Sequence, residues 1–76
     1  MNKVVFNDYP TKDQFNWLIK NISPVMFYLH NSQGGEGWVI KKSQRNLDKE
    51  NSYVYVWELS FDDERNATFF ALKFSS

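Results

Sequence analysis

The 76-residue sequence contains no cysteine, one histidine and two prolines. Without cysteine, the chain can form neither a disulfide nor a thiolate metal site. Acid–base and nucleophilic catalysis need several convergent polar groups, and a single histidine leaves few candidates for that role. We therefore expect a protein that has no enzymatic activity and uses no metal or other cofactor.

The sequence also lacks an excess of charge and any long apolar run. Nine basic and nine acidic side chains give a formal net charge of zero, whereas a non-specific nucleic-acid binder is usually strongly basic. No segment approaches the roughly 18 apolar residues of a membrane span. The first residues also lack the apolar segment of a signal peptide. These features predict a cytoplasmic protein with no membrane partner.

Aromatic side chains, by contrast, are abundant, at 18% of all residues. A chain this short is expected to form a single domain, residues 1–76, and to bury only about 60% of its unfolded surface. Each large ring can bury about 150–250 Å². The rings are therefore expected to supply much of the small core.

The strongest strand signal is Tyr53-Val-Tyr-Val-Trp-Glu-Leu-Ser-Phe61, where β-branched and aromatic residues dominate. Alternate residues of a strand point to the same side. One side therefore carries Tyr53, Tyr55, Trp57, Leu59 and Phe61. We predict that this is the central strand of an antiparallel sheet, with the aromatic side in the core.

The clearest helix signal follows the first proline. Residues 11–14, Thr-Lys-Asp-Gln, match a capping box. Apolar residues then recur with helical spacing at Phe15, Leu18, Ile19 and Ile22. Pro24 ends the pattern, which predicts a helix over about residues 11–22. Trp17 lies off this stripe, and it is expected either to pack on the domain or to anchor a partner.

Three more strands and two loops are predicted between and before these elements. Residues 25–30 and 38–42 are expected to be strands, and residues 3–6 an edge strand. The glycine-containing stretch 31–37 is expected to be a hairpin loop. The polar stretch 43–52 is expected to be a second loop.

The C-terminal segment is compatible with two structures. As a helix, it would be capped by Asp62 or Asp63 and would present a stripe formed by Ala67, Phe70, Ala71 and Phe74. As a strand, it would direct Phe70, Leu72 and Phe74 to the core. The acidic cap and the two alanines favour a helix over about residues 63–74. The predicted fold is α+β, with a three- to four-stranded antiparallel sheet and both helices packed on one face.

The acidic turn followed by Asn66-Ala-Thr-Phe-Phe-Ala-Leu-Lys-Phe74 resembles the C-terminus of some small accessory proteins of tailed, T4-like bacteriophages. The resemblance covers about thirteen residues and departs from the usual Ala-x-x-Phe-x-Leu ending at Phe69. It implies a phage origin and, often, inhibition of a host enzyme or defence system. It carries over no functional residues.

Apolar residues on the other side of the predicted sheet suggest how the protein acts. A large exposed apolar patch is typical of an interaction site, although residues 4–9 could instead fold over it. Our hypothesis is a non-enzymatic module that binds another protein, which could be a host protein or a second copy of the chain. The expected contact residues are Trp17, Met26, Tyr28, Val54 and Val56.

Single-stranded nucleic acid is the alternative ligand. Proteins that bind it place aromatic rings on a sheet beside basic side chains. Lys41, Lys42 and Arg45 form the basic group in this reading, and Tyr28 or Trp38 would stack a base.

Overall fold

The computed structural model describes residues 2–46 and 52–75. In chain order, the elements are β1 (Lys3–Phe6), α1 (Lys12–Asn21), β2 (Val25–Leu29), β3 (Ser32–Gly35), β4 (Trp38–Asn46), β5 (Tyr53–Phe61) and α2 (Glu64–Phe74). The strands form one antiparallel sheet in the order β1-β5-β4-β3-β2. The α+β class is confirmed, and the sheet has five strands rather than three or four.

The additional strand is β3, which lies within the predicted hairpin loop 31–37. Its residues pair with β2 on one side and with β4 on the other. A Cβ atom on Gly34 would lie 2.6 Å from the Trp38 carbonyl oxygen, and one on Gly35 would lie 2.6 Å from Ser23 Oγ. These glycines therefore permit close packing within a sheet. The loop prediction was wrong here because glycine marks turns and close backbone approaches alike.

Strand β4 is also longer than predicted. Residues 43–46, assigned above to a loop, pair with residues 53–56 of β5. The remainder of that predicted loop, apart from Ser52, lies outside the described residues. Because β4 occupies the middle of the sheet, β5 is an internal strand but not the central one.

Both helices begin where the sequence predicts. At α1, the Gln14 amide donates to Thr11 Oγ1 at 3.2 Å, and the Thr11 amide donates to Gln14 Oε1 at 2.8 Å. At α2, Asp63 is the N-cap and accepts from the Arg65 amide at 2.9 Å. The capping box and the helical reading of the C-terminal segment are thus confirmed. Within the described ranges, no helix is long and apolar enough to cross a membrane.

The core lies between the two helices and one face of the sheet, here called the helix-side face. Its buried members are Leu18, Trp38, Ile40, Leu59, Phe61, Ala67 and Phe70. Trp17 packs edge-on against Phe70, with ring centroids 5.6 Å apart, and so contributes to the contact between the helices. The opposite side of the sheet is here called the open face.

Strands β4 and β5 extend beyond their neighbours at one end. Pairing with β1 stops at Trp57, and pairing with β3 stops at Lys41. Beyond these points, residues 43–46 and 53–56 form a two-stranded arm. The radius of gyration is 13.1 Å, against about 11 Å expected for a compact chain of this length. A projecting arm is consistent with this difference.

Candidate functional site: the open face and the arm

The strand register determines which side chains lie on the open face. One row across the sheet is Lys3, Ser60, Val39, Gly34 and Phe27. The next row is Val5, Glu58, Lys41, Ser32 and Leu29. In the arm, the same face continues through Val56 and Ser43, then through Val54 and Arg45.

The charged groups of the open face surround one carboxylate. Lys3 Nζ lies 3.6 Å from Glu58 Oε1, and Arg45 Nη2 lies 3.8 Å from Glu58 Oε2. Lys41 is paired directly with Glu58 in the register. Ion pairs this exposed stabilise a fold by little, about 0–1 kcal/mol. With three cations around one anion, their larger effect is a positive centre on this face.

Apolar side chains lie on both sides of that charged centre. Towards β2, Phe27 is 39% and Leu29 is 63% exposed. Towards β1 and the arm, Val5 and Val54 are 42% and 40% exposed. Val56 is only 4% exposed, so it offers little surface to a partner. The open face therefore combines a basic centre with exposed apolar flanks.

The predicted contact residues do not form one patch. Val54 lies on the open face, but Tyr28 pairs with the buried Gln33 and so lies on the helix-side face. Met26 lies in the irregular pairing between Val25 and Phe27 and is largely exposed.

Phe27 and Leu29 occupy the open face instead, where the sequence had been expected to place Met26 and Tyr28 of the same strand. Alternation separates two sets of side chains without indicating which set the helices cover.

The predicted basic cluster is also divided. Lys41 and Arg45 lie on the open face, whereas Lys42 lies on the helix-side face, with Nζ 4.4 Å from the Tyr55 ring centroid. Trp38 cannot stack a base, because its ring is buried and its Nε1 donates to the Ser23 carbonyl oxygen at 3.0 Å.

The aromatic side of β5 is buried only where a helix covers it. Leu59 and Phe61 are buried as predicted, but Tyr53 and Tyr55 in the arm are each 49% exposed. Hydrogen bonding to Tyr55 raises the pKa of Tyr53.

The remaining candidates for metal ligands or reactive groups are the titratable side chains outside the open face. Within residues 2–46 and 52–75, no group of three or more histidine, cysteine, aspartate or glutamate side chains could hold a metal ion. His30 is exposed in the turn after β2. Asp63, one of the acidic residues before α2, is occupied as a helix cap, and the Arg65 guanidinium and amide beside it lower the pKa of its carboxyl.

Two shallow hollows lie on the helix side of the molecule. One, of about 410 Å³, lies between β1 and α2. It is lined mainly by alkyl groups, including those of Val4, Ala67 and Leu72. The other, also of about 410 Å³, is lined by Tyr9, Lys12, Phe15, Asn16 and Tyr28, among others.

A scan against protein-family models, a search of curated proteins and a search of solved structures each found no match.

Proposed function

We propose that the protein is a non-enzymatic binding module and that its open face is the surface that contacts a protein partner. The observation that carries this proposal is the set of exposed apolar side chains on a sheet face that neither helix covers. Val5, Phe27, Leu29 and Val54 are each more than a third exposed. Apolar surface of this kind on a small domain is typical of an interaction site.

The charge of the open face indicates what the partner should look like. Lys3, Lys41 and Arg45 outnumber Glu58, so an acidic patch would complement the centre. The apolar flanks would pack against apolar groups beside that patch. Complementary charge mainly accelerates association and selects the partner, whereas buried apolar contacts slow dissociation.

The wider biological role in this proposal follows from the C-terminal resemblance. A phage-encoded chain would act in the host cytoplasm by binding and inhibiting a host enzyme or defence protein. A basic centre is poorly suited to face a second basic centre, because like charges repel. A homodimer through the open face is therefore the less favoured arrangement.

Two leucines of similar exposure allow a matched test. Leu29 on the open face is 63% exposed, and Leu72 on α2 is 69% exposed. Tagged wild type, Leu29→Gln and Leu72→Gln would be compared in pull-downs from bacterial lysate. Binding of any recovered protein would then be measured with purified components. We expect Leu29→Gln to weaken binding at least tenfold and Leu72→Gln to leave it unchanged.

The same partner provides a second measurement. Affinity should fall as salt is raised. Lys41→Glu should mainly lower the association rate constant and should change the dissociation rate constant less. Equal binding by both leucine variants, or binding insensitive to salt, would remove the open face from consideration.

A further inference from the structure

A series of neighbouring aromatic rings runs along the helix-side face from the arm towards β2. We call this series the aromatic track; it consists of Tyr53, Tyr55, Trp57, Tyr9 and Tyr28. The ring centroids of Tyr53 and Tyr55 are 5.5 Å apart, and those of Trp57 and Tyr9 are 4.9 Å apart. Lys42 Nζ connects these pairs, since it lies 4.4 Å from the Tyr55 centroid and 5.8 Å from the Trp57 centroid.

The track continues into the hollow beside α1. Tyr9 and Tyr28 both line that hollow, and Tyr9 is held there because its hydroxyl donates to Gln33 Oε1 at 3.0 Å. The rings are accessible: Tyr28 is 72% exposed, and Tyr53 and Tyr55 are each 49% exposed. The rings thus present aromatic surface that the fold does not bury.

Two basic side chains flank the track. Lys42 lies over the Tyr55 ring, and Lys12 lines the hollow. In the described part of the arm, residues 43–46 and 53–56, there is no acidic side chain. Aromatic faces beside cations complement a chain that combines planar aromatic rings with regularly spaced negative charges.

We propose that the aromatic track binds single-stranded nucleic acid, with bases stacked on Tyr53, Tyr55 and Tyr28 and phosphates near Lys42 and Lys12. Such stacking tolerates any sequence because every base has a π-face. The sequence placed this ligand near Tyr28 or Trp38 and the basic group Lys41, Lys42 and Arg45. The geometry retains Tyr28 and Lys42, replaces the buried Trp38 by Tyr53 and Tyr55, and adds Lys12.

The length of the aromatic track suits a short segment of single-stranded nucleic acid. Tyr53 and Trp57 are four residues apart on β5, which corresponds to about 13 Å. Tyr28 lies three strands further across the sheet, which adds about 14 Å. With only two lysines at the track, affinity is expected to be in the micromolar range at low salt.

This inference does not depend on the proposed protein-binding function. The aromatic track and the open face lie on opposite sides of the sheet, so a variant at one surface leaves the other intact. Lys41→Ala, on the open face, should not affect nucleic-acid binding, whereas Lys42→Ala should weaken it.

The direct test is fluorescence anisotropy with a labelled mixed-sequence DNA strand of about 12 nucleotides. We expect saturable binding by the full chain that weakens as salt rises from about 50 to 200 mM. Tyr55→Ala and Tyr53→Ala should each weaken binding about tenfold or more. Tyr55→Phe should bind like the wild type, because it retains the stacking surface.

Matched variants outside the track serve as controls. Phe69 on α2 is also an exposed aromatic residue, at 57%, and Lys20 lies in the last turn of α1. Phe69→Ala and Lys20→Ala should bind DNA like the wild type, and circular dichroism should show that all variants are folded.

No anisotropy change with the wild type at low salt would overturn the proposal. Equal losses of affinity in Tyr55→Ala and Phe69→Ala would also overturn it.

Discussion

At one end of β4 and β5, Ile40 and Leu59 have no exposed surface, whereas at the other end Tyr53 and Tyr55 are each half exposed. All four side chains lie on the same face of the sheet. The difference comes from the surroundings, since Leu18 of α1 and Phe70 of α2 pack into the cluster at the first end. The pattern within a strand therefore selects a face, and the helices determine which part of that face becomes core.

The two ends can be compared directly by truncating one side chain at each. Leu59→Ala removes a fully buried side chain and should lower the free energy of unfolding by about 2–5 kcal/mol. Tyr55→Ala removes a half-exposed ring and should cost about 1 kcal/mol or less. Urea denaturation measures both. Equal losses would contradict the view that the helices make one end the core.

Strand β3 lies beside the end of β4 that the helices cover. Substituting one of its glycines tests how tightly the chain packs there. A Cβ on Gly35 would meet the Pro24 carbonyl oxygen, Ser23 Oγ and Trp38 Nε1. Gly35→Ala should therefore destabilise by roughly 1–3 kcal/mol, whereas Ser32→Ala on the same strand should change stability by less than about 0.5 kcal/mol. Thermal denaturation would show the difference. A Gly35→Ala variant as stable as the wild type would mean that residues 23–24 and the Trp38 ring can shift away from β3 at little cost.

Within the arm, two valines on the same face differ in burial. Val56 is 4% exposed and Val54 is 40% exposed. Val56→Thr should cost about 1–2 kcal/mol because it buries a hydroxyl group, whereas Val54→Thr should be within about 0.5 kcal/mol of the wild type. Chemical denaturation of the pair distinguishes them. Similar small effects would indicate that the whole arm is solvated.

The smallest expected effect concerns the cap of α2 and appears only in acid. The pKa of Asp63 is lowered by hydrogen bonds from Arg65, so the folded state favours the carboxylate. Its contribution to stability is present above the usual aspartate pKa of about 4. That contribution is lost as the pH falls through the lower, folded-state value.

Asp63→Asn keeps a capping side chain but removes the charge. The melting temperature of this variant should therefore decrease less steeply in acid than that of the wild type, by a few degrees at most. Asp62→Asn, at the neighbouring exposed position, is the control and should follow the wild-type curve. Identical slopes for all three proteins would show that the Asp63 charge has no role.

Local chemistry in the sequence was sufficient for the helices. The capping box at Thr11 placed α1 and the acidic N-cap at Asp63 placed α2, because each cap bonds within its own first turn. Strand β3 was missed because Gly34 and Gly35 serve contacts with distant residues.

The candidate surfaces were predicted less well, for a related reason. Tyr55 and Leu59 have the same alternation and similar apolar character, but only Leu59 is covered. Tyr28 was assigned to the open face, although its pairing with Gln33 places it opposite. Whether a helix covers a side chain depends on the tertiary arrangement, which cannot be inferred from residue spacing within a strand.

The irregular pairing beside Met26 affects the outer edge of the sheet. All five residues of β2 are apolar or aromatic and exposed, a composition that favours the addition of further strands. A bulge twists an edge strand and interrupts its regular series of amide and carbonyl groups. We therefore expect the register shift between Val25 and Phe27 to disfavour the pairing of a second copy of the chain along this edge.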